Sequence, residues 1–400
     1  MTASRMLKIW RHIGVNNEPP SITKESSMPK ISAERILPSS PTLSIHKTHK
    51  QAARKALMRT CSAIAISTAC IVIWSSHAQA SNFNDERWTL SSGAAGEVVR
   101  FQSADPATRH DMIAGNIGES IDLEGQLYLP DGDGPHSVVV FIPGSTGVRP
   151  GQDVLHVERL MAHGIGSFVV DPFGPRGLES TVDDQYRLSW AATIYDTFAA
   201  YNYLAQRDDV DVESLGAIGF SRGGYAVLQA AMRQFADPIL GEGAGFRAIF
   251  SAYPWCGSQF RYPNVGDSYL RILMGDQDDW VSPIQCQAYE NAIAQHTDRS
   301  SMRLVPGAAH SFDRTNQGMI ELPDAVKATR FPIMYLNDEG VMFDYRHEEY
   351  RQEYADEFPE HIRESKLWDI GASFGSTPEL AEEFAQDMET FFVETLKSES

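Results

Sequence analysis

Among the residues of this 400-residue chain whose type and spacing could do chemistry, Ser221 stands out, in the stretch Leu215–Tyr225 (LGAIGFSRGGY). A serine hydroxyl is a poor nucleophile unless it is presented on a sharp turn between a strand and a helix. Gly219 and Gly223, each two residues from the serine, remove the side chains that would block such a turn. The apolar run before Ser221 supplies the strand. Alone the pattern is weak, because the chain has 30 glycines and serines flanked in this way arise by chance.

A nucleophilic serine also needs a base to take its proton and a carboxylate to hold that base in the correct tautomer. In an open sheet these come from loops at the carboxyl ends of later strands, in the order serine, acid, histidine. The apolar run Leu270–Met274 leads into Gly275-Asp276-Gln277-Asp278-Asp279-Trp280, and Met302–Val305 leads into Pro306-Gly307-Ala308-Ala309-His310-Ser311-Phe312. Of 12 histidines, His310 is the one that directly follows a late buried strand on a loop of small residues. Three aspartates compete for the acid, and all could be solvated turn residues. Asp276 is placed to turn the strand end and Asp279 adjoins Trp280, which leaves Asp278 as the expected partner. Two backbone N–H groups must face the developing oxyanion. One is expected from Arg222, the other from the turn Pro143–Gly147, with Ser145 as the donor.

These residues depend on a sheet to position them. From residue 96 short apolar runs alternate with amphipathic segments, the rhythm of a mostly parallel sheet covered by helices. Eight strands are expected. Residues 96–102 and 121–129 alternate with period two and should pair as an antiparallel edge hairpin. Residues 138–142, 167–170, 215–220, 246–252, 270–274 and 302–305 are continuous apolar runs suited to buried parallel strands. Helices are expected at 154–162, 188–206, 224–234, 283–295 and 378–396. Residues 313–371 break the rhythm before the last helix. Their acidic and aromatic patch at 344–364 reads as a solvated helical insertion or a lid. No repeat or long linker divides residues 81–400, so they are expected to form one domain.

The formal charge of −19 is uneven: residues 1–80 carry 11 Lys and Arg against 3 Asp and Glu, leaving 23 against 50 for the rest. An acidic fold of this kind repels nucleic acid and anionic membrane surfaces. Residues 1–57 are polar, rich in Ser, Pro, Lys and Arg, and are expected to be disordered. Residues 58–80 have the layout of a secretory signal peptide: Arg54, Lys55 and Arg59, then the apolar Cys61–Trp74, then an end with Ala78 and Ala80. Cleavage is expected after Ala80, giving a secreted or periplasmic protein with no stable membrane anchor. An uncleaved anchor is the alternative, although Cys61–Trp74 is shorter than the ~20 residues a spanning helix needs. The long leader also leaves open a translation start nearer Met58. Export would leave Cys256 and Cys286 as the cysteines of the mature chain, in an oxidising compartment. They read as one disulfide, with two buried free thiols as the alternative.

The spacing of GFSRGG, GDQDDW and PGAAHSFD resembles the dienelactone hydrolase family of α/β-hydrolases, in its secreted branch. The likeness runs over about residues 96–397 and is weakest over 314–370. DPFGPRG at 171–177, YPWC at 253–256, Cys286 and the closing GASFGSTPELAEEFAQDMETFF at 371–392 also match. The resemblance implies an α/β-hydrolase fold, a disulfide between Cys256 and Cys286, and hydrolysis of a small-molecule ester without metal or organic cofactor. Two departures matter. The family in the strict sense uses a cysteine nucleophile where this chain has Ser221, so dienelactone itself is not implied. Its His-Gly after the third strand is here Pro143-Gly144. Arg176 could meet a substrate carboxylate or serve in a structural ion pair. The sequence reading is therefore a serine hydrolase acting on an ester or lactone through Ser221, His310 and Asp278. A peptidase or amidase on the same triad, or a non-catalytic binding member of the fold, remain as alternatives. The substrate and the oligomeric state are beyond the sequence.

Overall fold

The computed structural model describes residues 81–397 except 316, 329–333, 345–346 and 352–367, with the backbone alone for 347–351 and 368. The expectations for residues 1–80, and most of the acidic patch at 344–364, lie outside the described residues. In chain order the elements are β1 (Glu97–Ala104), α1 (Arg109–Ala114), β2 (Ser120–Tyr128), β3 (His136–Ile142), α2 (Gln152–Ala162), β4 (Gly166–Asp171), α3 (Trp190–Leu204), β5 (Val210–Phe220), α4 (Arg222–Ala230), α5 (Arg233–Leu240), β6 (Ala248–Ala252), β7 (Ser258–Phe260), β8 (Tyr269–Gly275), α6 (Pro283–Ile293) and β9 (Ser300–Val305). After them come β10 (Ile320–Ala328), β11 (Met334–Leu336), β12 (Met342–Asp344), β13 (His347–Arg351), β14 (Trp368–Phe374) and α7 (Pro378–Leu396).

The main sheet has eight strands in the order β1-β2-β4-β3-β5-β6-β8-β9. β1 and β2 form the antiparallel hairpin at one edge, β2 joins β4 antiparallel, and every later pair is parallel. This is the α/β architecture expected from the sequence. The central strands carry apolar runs such as Val138–Ile142 and Phe168–Val170 because helices cover both faces. The alternation in β5 shows this: a Cβ on Gly216 would meet Phe392 of α7, whereas one on Gly219 would meet the backbone of α4. On the α7 face, the Phe384 ring lies within 6.2 Å of five other rings, those of His156, Phe220, Phe250, Tyr253 and Phe312. Thr377 caps α7 by accepting from Leu380 N–H, and Pro378 fills the first helical position, where a missing N–H costs nothing.

Register brings the carboxyl ends of five strands to one edge. Ile142 pairs with Gly219, Phe220 with Ala252, Ala252 with Leu273, and Gly275 with Val305. The loops that leave this edge hold Gly144, Ser221, Tyr253, Asp278 and His310.

The structure departs from the sequence reading in three places. The expected helix 224–234 is two helices: Met232 is extended and Arg233 N–H donates to Asn264 C=O, which ends α4 and starts α5 on a new axis. Helix α1 was missed; it is six residues long, too short to show periodicity, and rests on a Thr108 cap and a left-handed Gly115. The insertion is strands and turns rather than helix among its described residues. β10 pairs antiparallel with β14, with a register shift between Leu322 and Val326, where Pro323 has no N–H to give the ladder. β11, β12 and β13 form a second small sheet with β7, which lies parallel to β11.

Cys256, in the loop after β6, and Cys286, in the first turn of α6, are both buried and joined by a disulfide with a Cα–Cα distance of 5.0 Å. The bridge closes a loop of 30 residues. Replacing both cysteines by alanine should lower stability by about 3–4 kcal/mol on the chain-entropy account, measured as a shift in urea denaturation against the oxidised protein.

Candidate active site

Ser221 sits between the end of β5 and the start of α4 with φ 55° and ψ −110°. A non-glycine residue held there costs about 1–3 kcal/mol and persists only where its surroundings dictate it. They do so here by close approach. A Cβ on Gly219 would lie 2.0 Å from Gly223 C=O, and one on Gly223 would lie 2.1 Å from Ile142 C=O. The Ser221 N–H donates to Ala252 C=O at 2.9 Å, which ties the turn to the end of β6.

The base and the acid arrive on two loops that are bonded to each other. Asp276 accepts from Gly307 N–H at 2.7 Å, and Gln277 N–H donates to Ala308 C=O at 2.9 Å. His310, 1 % exposed, then places Nε2 2.9 Å from Ser221 Oγ and Nδ1 2.8 Å from Asp278 Oδ2. Asp278 is a buried carboxylate, so Nδ1 carries the proton it accepts and Nε2 is left to accept from the serine hydroxyl. The other oxygen of Asp278 accepts from the N–H groups of Trp280 and Val281, both at 3.0 Å. Of the three aspartates that competed in sequence, Asp276 therefore fastens the histidine loop. Asp279 accepts from Ser373 of β14, and Asp278 faces the imidazole.

Tyr253 and Trp280 hold the ring of His310, each with its ring centroid 4.9 Å from that of the imidazole. Tyr253 is itself at φ 36° and donates its hydroxyl to Asp313 at 2.6 Å. Asp313 is fully buried and also accepts from Arg149 at 3.0 Å, with His156 Nε2 at 3.3 Å. Burial pushes the Asp313 carboxyl up, but the Arg149 charge, His156 and the Tyr253 hydroxyl outweigh it and hold the group well below the usual carboxylate range. The same burial, followed by the Asp313 charge, raises the Tyr253 phenol and keeps it a donor. Sequence reasoning gave Arg149, Tyr253 and Asp313 no role. Tyr253 and Asp313 stood inside the YPWC and PGAAHSFD motifs, and nothing local marks that they meet.

The turn after β3 reaches the nucleophile: a Cβ on Gly144 would lie 3.3 Å from Ser221 Cβ and 3.0 Å from Phe220 C=O. Ser145 follows it, 6 % exposed. Arg222 is the first residue of α4, where an N–H has no acceptor within the helix. The Arg222 side chain is buried; burial first, then the charge of Arg109, pushes it down to about 9. Arg176 belongs to the structural ion pair rather than to a substrate contact. Its guanidinium donates to both oxygens of buried Asp196 at 2.8 and 2.9 Å, to Asp105 at 2.7 Å and to Pro172 C=O at 2.6 Å. Among the described residues no group of three or more His, Cys, Asp or Glu is placed to hold a metal ion, and no helix is long and apolar enough to cross a membrane.

The model of the dienelactone hydrolase family matches residues 123–330, just over half of the chain and inclusive of Ser221, Asp278 and His310. No curated protein matches the sequence. Solved structures similar to this chain include a dienelactone hydrolase from Klebsiella pneumoniae subsp. pneumoniae MGH 78578, with 16% identity and a TM-score of 0.39 over 54% of this chain and 89% of that one. A dienelactone hydrolase-like promiscuous phosphotriesterase from metagenomic libraries has 21% identity and a TM-score of 0.41, covering 55% of this chain and 86% of its own. Esterase 2 of Thermogutta terrifontis has 19% identity and a TM-score of 0.38, covering 48% and 80%.

Asp313→Asn removes the charge that Arg149 and His156 face and should cost about 3–5 kcal/mol at pH 7. The folded pKa is depressed below the unfolded value of about 3.9, so this stabilisation is full above that pH and is lost as pH falls through and below it. Urea denaturation between pH 7 and pH 3 should therefore show the gap between wild type and variant constant down to about pH 4 and narrowing by about 1 kcal/mol by pH 3; a gap with no narrowing below pH 4 would remove the carboxylate charge as its cause.

Proposed function

The chain belongs to the dienelactone hydrolase family and is a carboxylic ester hydrolase, and on that premise we propose that it cleaves an ester or lactone through an acyl-enzyme formed on Ser221. The observation that carries this reading is the continuous line of hydrogen bonds from Ser221 Oγ through His310 to Asp278. Ser221 Oγ attacks the carbonyl carbon while His310 Nε2 takes its proton. Asp278, desolvated and ionised, stabilises the imidazolium and keeps the ring in register. The carbonyl oxygen becomes an oxyanion held by the N–H groups of Arg222 and Ser145. Collapse of this intermediate expels the alcohol, which takes the proton from His310 and leaves the acyl group on Ser221. Water then repeats the cycle, with His310 as base, and releases the acid.

Two further parts of the reading concern access and export. The β10–β14 ribbon is stitched to the acid loop: Trp280 Nε1–H donates to Val326 C=O at 2.9 Å and Ala328 N–H to Trp280 C=O at 2.9 Å. Trp280 packs in turn on His310, so the insertion frames the approach to the site. Secretion with cleavage after Ala80 is supported by the buried disulfide, which suits an oxidising compartment. The burial of Phe83 and Trp88 also supports a mature chain that starts near Ser81 and keeps both.

Ser221→Ala should abolish hydrolysis of short p-nitrophenyl esters and covalent labelling by a fluorophosphonate while leaving the circular dichroism spectrum unchanged; retained labelling would overturn the assignment of the nucleophile. His310→Ala should lower kcat by a factor on the order of 10⁴. Amino-terminal sequencing of the exported protein should begin at Ser81 or a near neighbour, and a start elsewhere would sink the cleavage site.

A further inference from the structure

Arg222 is 2 % exposed, yet among the described residues no carboxylate is a hydrogen-bond partner of its side chain. Its guanidinium donates instead to neutral oxygens: Gln185 C=O at 2.8 Å, Gln185 Oε1 at 3.3 Å, Leu188 C=O, Ser189 C=O at 3.1 Å and Thr193 Oγ1 at 3.2 Å. Its flat face lies over the Trp190 ring at 4.3 Å. Burying a charge without a counter-charge is costly, and several good acceptors are the way a fold tolerates it. All but Thr193 of these acceptors lie in residues 185–189, so the guanidinium fixes that segment as a strap beside the nucleophile.

The strap then reaches Ser145. Gln185 Oε1, which already accepts from Arg222, accepts the Ser145 hydroxyl at 3.1 Å. Four residues before the strap, Thr181 N–H donates to Ser145 C=O at 2.8 Å. Ser145 is thus held through both its side chain and its carbonyl, next to a Gly144 that touches Ser221. We propose that Gln185, fixed by the Arg222 side chain, is a positioning residue that sets the Ser145 N–H opposite the Arg222 N–H and so completes the oxyanion site. The inference rests on the reading of Ser221 as nucleophile. It assigns Arg222 a double part, one donor through its amide and the placement of the other donor through its side chain. It also gives the Pro143-Gly144 turn a support, since proline there has no N–H of its own to anchor it.

One oxyanion donor is worth about 10²–10³ in kcat, and displacing it forfeits part of that. The test is steady-state hydrolysis of p-nitrophenyl butyrate by Gln185→Leu, Ser145→Ala and the double variant, with inhibition by a trifluoromethyl ketone, whose adduct with the serine carries an oxyanion. Each single variant is expected to lose about 10- to 100-fold in kcat. KM should stay within about threefold and the inhibitor should weaken by the same factor as kcat. The double variant should lose no more than the worse single one, because both act through one hydrogen bond. Unchanged kcat in Gln185→Leu, a loss expressed in KM alone, or fully multiplied losses in the double variant would overturn the inference. Ser145→Ala removes only one hydroxyl and keeps the test decisive if Gln185→Leu does not fold. Hydrolysis surviving Ser221→Ala would strike instead at the nucleophile itself.

Discussion

The left-handed backbone at Ser221 is the constraint on which the rest of the structure depends. Left to itself, a serine would relax out of φ 55° and take its hydroxyl away from His310. Three contacts prevent this, two from the end of β3 and its turn and one from β6: Gly223 against Ile142, Gly144 against Ser221 itself, and the Ser221 N–H on Ala252. The parallel sheet is what brings these together, because its register sets the carboxyl ends of β3, β5 and β6 level. Fold and chemistry are joined at that point: the strain is tolerable only in a sheet with this order of strands.

Charge is handled in opposite ways on the two sides of the nucleophile. Under the histidine loop, Asp313 and Arg149 form a buried pair whose spare valences are filled by Tyr253 and Asp153, so the ring that supports His310 cannot drift. Over the strap, Arg222 gives its hydrogen bonds to neutral oxygens among the described residues, which keeps a positive field close to where the proposed mechanism develops negative charge. A carboxylate beside Arg222 would stabilise the ground state and cancel that field.

What was legible in the sequence was whatever depends on runs and ends. Six strands of the main sheet carry continuous apolar runs and the two of the edge hairpin alternate with period two, and Asp278 and His310 could be named because they follow such apolar runs closely. The structure places His310 against Ser221 and Asp278 against His310. What was not legible depends on partners far apart in sequence. Arg149 and Asp313 are separated by 164 residues and Arg176 and Asp196 by 20, and no local pattern marks either pair. β7 and β11 are three residues each and find each other only in space, and the charged insertion gave no alternation from which strands could be read. The Gln185 contact escaped for the same reason: an amide in a polar loop looks like solvent-exposed surface until the buried guanidinium beside it is seen.

The aromatic floor beneath the site has a consequence for when activity arises. Phe384 supports Phe220 before the nucleophile, Phe312 after the base, and Tyr253 under the imidazole, yet it belongs to the last helix of the chain. A growing chain acquires its nucleophile, then its acid, then its base, and still lacks the surface on which all three rest. Packing of α7 is therefore part of building the site: without it Ser221, Asp278 and His310 would lack the ring that holds Phe220, Tyr253 and Phe312 together.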